Sequence, residues 1–292
     1  MAKTAFYIAF YELLCYYNII HVKYGGKAMG NGSGYGSKKI IFNHRVLKNA
    51  KRDTYSTHTH NTYELIYFLD GDATHVIEDR RYKLRRGDLI IIRPLQYHFI
   101  HIDSESDYER YDILIDPEAH GIDSGLIKDC PEIINILDNP LAVSLFERLD
   151  FYRSELEDRD FDKLFPSLLT ELFYILNLTP YKKDIEAMTA SALLTEALRY
   201  INDNLCTLSG ISEIAKKLFI SESYLFRLFK SELHQTPKKY IRDKRLLMAQ
   251  RMISEGKKPI IVYEKCGFSD YTAFYRSYIS YFGHAPSKEK HS

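Results

Sequence analysis

The sequence predicts an α+β protein of two domains, in which a β-rich domain with added helices precedes an all-α C-terminal domain. Three observations predict this arrangement. Short β-branched and aromatic segments fill residues 40 to 115. Apolar residues then recur at the three-and-four spacing of helices. A helix pair that begins near Ile211 is repeated about 48 residues further along the chain.

Length and charge agree with two domains of different character. The chain has 292 residues, of which 45% are hydrophobic and 27% charged, as in ordinary globular proteins. The net charge is only +1, but residues 189–292 carry 17 Lys and Arg against 10 Asp and Glu, while the remainder carries 23 against 29. A basic C-terminal third indicates either a polyanionic partner or a solvated basic face.

Cysteine usage and the N-terminus bear on the compartment. Four cysteines are scattered without a CxxC pair, which predicts a reduced, cytoplasmic protein and excludes a zinc ribbon or a disulfide framework.

Residues 1–37 form an extension and a glycine-rich connector, so structure is expected to begin near Ile40. The apolar residues 5–22 contain Glu12 and Asn18 and lack a signal-cleavage pattern, so we predict an amphipathic extension, or a true start at Met29, rather than a membrane partner.

The N-terminal domain is predicted over residues 38–120. Turn signals such as Asp70-Gly71-Asp72 separate its apolar segments, which predicts a sandwich or barrel. The predicted strands are residues 63–69, 74–78, 88–93, 97–102 and 108–115.

Residues 121–188 are predicted to be a helical segment that relays signals or dimerises. One helix face is apolar throughout, and either a second subunit or the chain's own β-domain could cover it. Its members are Phe161, Leu164, Phe165, Leu168, Leu169, Leu172, Phe173 and Leu176.

The C-terminal domain, residues 189–292, contains a helix-turn-helix pattern over about residues 211–233. A short amphipathic helix is followed at once by Ser221, a capping residue, so the next helix must cross it steeply, and small Ala215 permits close approach. The outward face of the second helix carries side chains able to bond bases or phosphates. These are Ser223, Tyr224, Arg227, Lys230 and Ser231.

A second unit repeats this pattern at about residues 259–282. Its Gly267, Phe268 and Ser269 correspond to Phe219, Ile220 and Ser221. A helix over residues 237–255 separates the units and spans about 28 Å at 1.5 Å per residue. Successive major-groove faces of DNA lie about 34 Å apart, so one chain could place two recognition helices on one duplex.

The segment SESYLFRLFKSELHQTPKKYI, followed by GFSDYTAFYRSYISYFGHAP, resembles the DNA-binding domain of AraC/XylS-type transcriptional regulators over about 100 residues. The resemblance implies a double-stranded DNA operator, a homodimer and RNA polymerase as partners, and activation of transcription. It adds Thr272 and Arg276 as candidate DNA contacts. The second unit departs from the family pattern at Tyr263, Ala273 and Ile279-Ser280, so we expect the first unit to supply more of the specificity.

The pattern His58-x-His60-x3-Glu64, with His98 further on, resembles the two motifs of the cupin β-barrel. Such residues could hold one divalent metal, as in cupin enzymes, or line a polar pocket for a small effector such as a sugar. Sensor domains of AraC-type regulators often keep this pattern without metal, so we predict an effector pocket and no cofactor.

No nucleophile elbow, Walker loop or dinucleotide fingerprint is present. The sequence therefore predicts a ligand-responsive, DNA-binding regulator rather than an enzyme. One alternative is a metal-dependent cupin enzyme with a DNA-binding tail. Another is a DNA-binding protein whose barrel is structural or recruits a protein partner.

Overall fold

The computed structural model describes residues 34–36, 40–178, 187–189 and 191–289, so most of the predicted N-terminal extension lies outside the described residues. No helix among the described residues is long and apolar enough to cross a membrane. The strands are β1 (Gly34–Gly36), β2 (Ile40–Ala50), β3 (Asp53–Thr54), β4 (Tyr63–Asp70), β5 (Ala73–Ile77), β6 (Arg80–Lys83), β7 (Asp88–Ile92), β8 (His98–Ile102), β9 (Ser106–Ile115), β10 (Ile133–Asn135) and β11 (Met188–Thr189).

The strands form two antiparallel sheets, which confirms the β-rich N-terminal domain. One sheet has the order β1-β2-β9-β4-β7-β10 and the other β11-β6-β5-β8-β3. Within the described residues the two sheets are not hydrogen-bonded into one closed barrel, so the domain is an open sandwich. Regular structure is present before the expected start near Ile40, because β1 pairs with β2 with Gly34 opposite Asn43. An edge strand needs only backbone hydrogen bonds, which glycine supplies as well as any residue.

The central strands β4 and β7 of the six-stranded sheet are buried on both faces, which explains their nearly continuous apolar sequences. On β4, Leu65 and Tyr67 pack against helices, whereas Ile66 and Phe68 pack between the two sheets. Successive side chains of a strand point to opposite faces, so an uninterrupted apolar run indicates two buried faces.

Nine α-helices lie within the described residues. The apolar stripe of the long helix α3 faces the chain's own sheet, and Leu168 and Leu172 are 4% and 0% exposed in that core. This face is therefore not open to a second subunit. The helices are α1 (Gly125–Lys128), α2 (Pro140–Glu155), α3 (Asp158–Leu178), α4 (Ala192–Asp203), α5 (Ile211–Lys217), α6 (Glu222–Leu233), α7 (Pro237–Ser254), α8 (Pro259–Lys265) and α9 (Tyr271–Phe282).

Two helix-turn-helix units, α5–α6 and α8–α9, flank α7. Ser221 caps α6 by accepting a hydrogen bond from the Tyr224 amide, and Asp270 caps α9 in the same way. The turn of each unit contains one residue with positive φ, Phe219 at 54° and Gly267 at 81°. These two positions correspond in the sequence repeat, so the repeat extends to backbone conformation.

The helical domain docks on the β-domain through a buried polar contact. Glu78, just after β5, accepts hydrogen bonds from Lys244 Nζ at 2.7 Å and Tyr240 Oη at 2.6 Å, both on α7. The side chains of Glu78 and Lys244 are only 9% and 6% exposed. A buried ion pair is costly to break, so this contact fixes α7 against the β-domain.

Candidate functional site

The two sheets bring four of the predicted polar residues together. His58 exchanges two backbone hydrogen bonds with His98, the first residue of β8, while Glu64 lies on β4. One ligand atom from each of His58, His60, Glu64 and His98 lies within 4.8 Å of the others. Glu64 Oε2 is 2.9 Å from His60 Nε2 and 2.8 Å from His98 Nε2.

The three histidines share one orientation. Each Nδ1 lies 2.9–3.1 Å from a backbone carbonyl oxygen two residues away, on Ser56, Thr62 or Gln96. Because a carbonyl only accepts, each Nδ1 donates its proton to the carbonyl, and Nε2 of each ring points into the cluster. At His60 and His98, Nε2 lies within hydrogen-bond distance of the Glu64 carboxylate.

Burial and charge set the protonation of the cluster. Burial, together with the neighbouring His98, lowers the pKa of His58 to about 3, so this ring is neutral. Burial alone would raise the pKa of Glu64, but the facing His98 and His60 outweigh it and hold that pKa well below its usual range. The site therefore presents an anionic oxygen among imidazole nitrogens.

A cavity of about 70 Å³ lies between the sheets beside this cluster. His58, Glu64 and His98 line it, whereas His60 contacts Glu64 without lining the cavity. A water molecule occupies about 30 Å³ of the liquid, so the space suits only a few water molecules. A monosaccharide would need the walls to move.

Sequence reasoning missed further polar residues of this cavity. Among them are His75 on β5 and Arg110 and Asp112 on β9. The sequence signal for them is the spacing of two residues along β9, which places Arg110 and Asp112 on the same inner face as buried Tyr108. Polar residues at alternate positions that face another sheet indicate a site rather than a core.

Several inward polar atoms of these residues lack a hydrogen-bond partner. They are both ring nitrogens of His75, Nε of Arg110 and Oδ1 of Asp112. Burial lowers the pKa of His75 well below its usual range and raises the pKa of Asp112 to about 6. Buried polar groups are normally satisfied, so this set favours a polar occupant.

The structure places the predicted DNA contacts on exposed helix surfaces. Arg227 and Lys230 of α6 are exposed, and the Arg227 guanidinium lies 5.8 Å from the centre of the Tyr224 ring. Thr272 and Arg276 are exposed on α9. Ser223 and Ser231 are also exposed on α6.

The second unit differs from the first at its helix crossing. Tyr263 of α8 is partly buried, with its ring centre 5.5 Å from that of Tyr271 and 6.4 Å from that of Phe274. An aromatic cluster therefore occupies the crossing where the first unit has Ala215.

Family comparisons match both domains. Residues 45–198 match the family described as the AraC-like ligand binding domain, and residues 214–291 match a helix-turn-helix domain. The HTH-type transcriptional activator RhaR of Salmonella arizonae is 24% identical over 254 residues, which cover 82% of this chain and 88% of RhaR. The uncharacterized HTH-type transcriptional regulator YfiF of Bacillus subtilis is 26% identical over 73% of this chain and 71% of YfiF.

Shorter matches and solved structures complete the comparison. LumQ of Photobacterium leiognathi is 32% identical over 90 residues, so the chain spans about a third of that protein, 36% of its length. The crystal structure of ToxT from Vibrio cholerae is 14% identical, with a TM-score of 0.35 over 86% of this chain and 97% of that one.

Proposed function

The chain belongs to the AraC family of transcriptional regulators, and we propose that it is an activator controlled by a small polyhydroxylated effector, such as a sugar, in the cavity between its sheets. On this proposal, α6 and α9 bind an operator on double-stranded DNA. The name of the relative RhaR, a transcriptional activator, supports activation.

The unpartnered polar atoms of the cavity carry the effector proposal. Arg110 Nε is a donor, Asp112 Oδ1 is an acceptor, and His75 offers one of each. A hydroxyl group both donates and accepts, so several hydroxyls on one small molecule would satisfy this mixture. A simple anion or cation would pair with only part of it.

A thermal-shift screen of the full chain against sugars and sugar acids tests this proposal. An effector at 100 times its Kd should add about 2.7 kcal/mol of stability, which raises the melting temperature by several degrees. Asp112→Asn should abolish the shift. The matched control is Asp107→Asn, on the same strand but in an exposed pair with Lys48, and it should keep the shift. No shift with any sugar would reject the proposed effector class.

The exposure of the polar and basic side chains on α6 and α9 supports the proposal that these helices contact DNA bases and phosphates. Losing a side chain that bonds a base costs about 1–3 kcal/mol. We expect Arg227→Ala to lose more operator affinity than Arg276→Ala, since Lys230 follows on α6 where α9 has Ile279. Binding at fixed salt to DNA selected from a random pool measures this, and equal or reversed losses would contradict it.

The proposal includes a homodimer and contact with RNA polymerase. Exposed apolar side chains on the outer faces of α2 and α3 support a subunit contact there, namely Phe151 at 60%, Tyr174 at 55% and Leu178 at 82% exposure. Phe151→Asp with Tyr174→Asp should give a monomer in light scattering, and an unchanged dimer would reject this surface.

A second candidate is a metal-dependent β-domain, either as a sensor or as the metal-dependent cupin enzyme. It is favoured by the shared histidine orientation, since a carbonyl on Nδ1 is the usual outer partner of a metal-bound histidine. His58, His60, Glu64 and His98 would hold the ion, and an N,O set suits Fe, Mn, Ni or Zn. Such an ion acts as a Lewis acid.

Metal analysis of the purified chain separates the two candidates. One ion per chain that is lost in His60→Gln and kept in His44→Gln, a histidine outside the cluster, would support the metal. Loss of that ion together with turnover of a small substrate would favour the enzyme. A purified chain that retains no ion after metal loading would exclude the metal-dependent candidate, so that the sugar-controlled regulator remains.

A further inference from the structure

Residues 57–61 alternate between the two domains. His58 and His60 point into the polar cluster of the β-domain, where His58 lines the cavity. The three residues between and beside them, Thr57, Thr59 and Asn61, bond the helical domain. Side-chain alternation accounts for Thr57 and Asn61, whereas Thr59 takes part through its backbone carbonyl.

Each odd-numbered residue contacts a different part of the helical domain. Thr57 Oγ1 donates to the carbonyl of Leu233, the last residue of α6, at 2.8 Å. The Tyr281 hydroxyl, near the end of α9, donates to the Thr59 carbonyl at 3.4 Å. Asn61 Nδ2 donates to the Leu247 carbonyl and to Gln250 Oε1 of α7 at 2.9 and 2.8 Å. One five-residue segment therefore bonds both recognition helices and the helix between them.

This segment continues one wall of the cavity, which it reaches at His58. Tyr55, Ser56 and His58 line one side, in chain that forms no strand between β3 and β4. The backbone hydrogen bonds that fasten it to the β-domain are the two between His58 and His98, one from the Tyr55 amide to the Ile100 carbonyl and one from the Leu95 amide to the His60 carbonyl, at 2.8–3.1 Å. The opposite wall includes β9, which is paired along most of its length on both sides. The wall at residues 55–58 therefore has fewer backbone hydrogen bonds than the wall at β9, so an occupant larger than 70 Å³ would displace it more readily.

We propose that residues 57–61 form a latch through which cavity occupancy controls the two recognition helices. The proposal rests on the proposed function, because it takes the cavity as the effector site and α6 and α9 as the DNA-binding helices. In the latched state the cavity is too small for the effector, and the segment fixes both helix-turn-helix units. The effector binds the unlatched state better because that state has the larger cavity, which is the differential affinity that coupling requires.

Operator affinity of the effector-free chain tests the latch. Thr57→Val and Tyr281→Phe each remove one hydroxyl, and each should raise affinity about two- to ten-fold by depopulating the latched state. The matched control is Thr74→Val, whose hydroxyl bonds Asp103 inside the β-domain, and it should leave affinity unchanged. Affinity is measured at fixed salt on DNA selected by the wild-type chain. If both latch variants bind this DNA as tightly as the wild type does, the latch is overturned.

A second measurement needs neither operator nor effector. Leu114→Phe enlarges a side chain that lines the cavity, and it should speed amide hydrogen exchange several-fold at the ends of α6 and α9. Leu69→Phe enlarges a partly buried leucine outside the cavity and should not. Equal exchange in both variants overturns the latch. If no DNA sequence is selected, the proposed function fails, while the exchange still decides the latch.

Discussion

The buried pair of Glu78 and Lys244 should dominate the stability of the domain interface. Glu78→Leu removes an acceptor of three hydrogen bonds, from Lys244 Nζ, Tyr240 Oη and the Tyr97 amide. It leaves an ammonium group 6% exposed, with Asn202 Oδ1 at 2.8 Å and the Tyr240 ring at 4.7 Å. Breaking one partner of a buried pair costs about 3–5 kcal/mol, so we expect a loss of about 4 kcal/mol.

The second partner and the double variant make the reasoning testable. Lys244→Met should cost about 3 kcal/mol, because the buried carboxylate keeps its two other donors. The double variant should cost about 4 kcal/mol rather than about 7, since no buried charge remains and only neutral polar groups lose partners.

Urea unfolding of the full chain, followed by circular dichroism, measures these free energies. The linear dependence on urea, at about 1–3 kcal/mol per M, turns a loss of about 4 kcal/mol into a midpoint shift of more than about 1 M. Additive losses in the double variant would refute a coupled pair. Losses below about 1 kcal/mol in both single variants would show that water reaches these groups.

Three further predictions concern single elements of the fold. Asp150 and then Glu109 raise the pKa of His44, and each carboxylate lies 2.7 Å from one ring nitrogen. The protonated His44 therefore stabilises the folded chain fully below the unfolded pKa of about 6.5, and this stabilisation is lost as pH rises through the folded pKa. The melting temperature should fall over that range less steeply in His44→Gln, and equal slopes would contradict this. Phe219→Gly should stabilise the chain by about 1 kcal/mol, because Phe219 is 96% exposed at positive φ; Gly267→Ala should instead cost more than about 2 kcal/mol, because its Cβ would lie 2.5 Å from a backbone oxygen. Thermal melts of both variants measure these changes. A change of stability in the same direction in Phe219→Gly and Gly267→Ala would be evidence against the argument. Leu172→Ala, at 0% exposure, should cost about 2–5 kcal/mol without changing the molar mass in light scattering, and a change to monomer would return this face to a subunit contact.

Patterns local in the chain carried most of the fold prediction. The apolar run of β4 and the cap at Ser221 depend on neighbouring residues, so both could be predicted. The repeat likewise identified Gly267 with Phe219, and both have positive φ. The short edge strands β10 and β11 were missed, since three- and two-residue strands carry almost no periodicity.

The candidate site was predicted only in part. His58, His60 and Glu64 lie close together in the chain, and their spacing places them near one another. Arg110 joins Glu64 only because β9 pairs with β4 in one sheet, and His75 joins them only because β5 lies in the facing sheet. Sheet-on-sheet packing brings together residues distant in sequence, and a single sequence does not encode that register locally.

The sequence by itself therefore determined the class of each domain, the two helix-turn-helix units and the cluster of histidines around Glu64. Only the tertiary structure decided that the stripe of α3 faces the chain's own sheet, and that the cavity holds unpartnered groups. It alone also revealed that Thr57 and Asn61 bond the helical domain. Short-range preferences act along the chain, whereas burial and docking depend on which distant surfaces exclude water from each other.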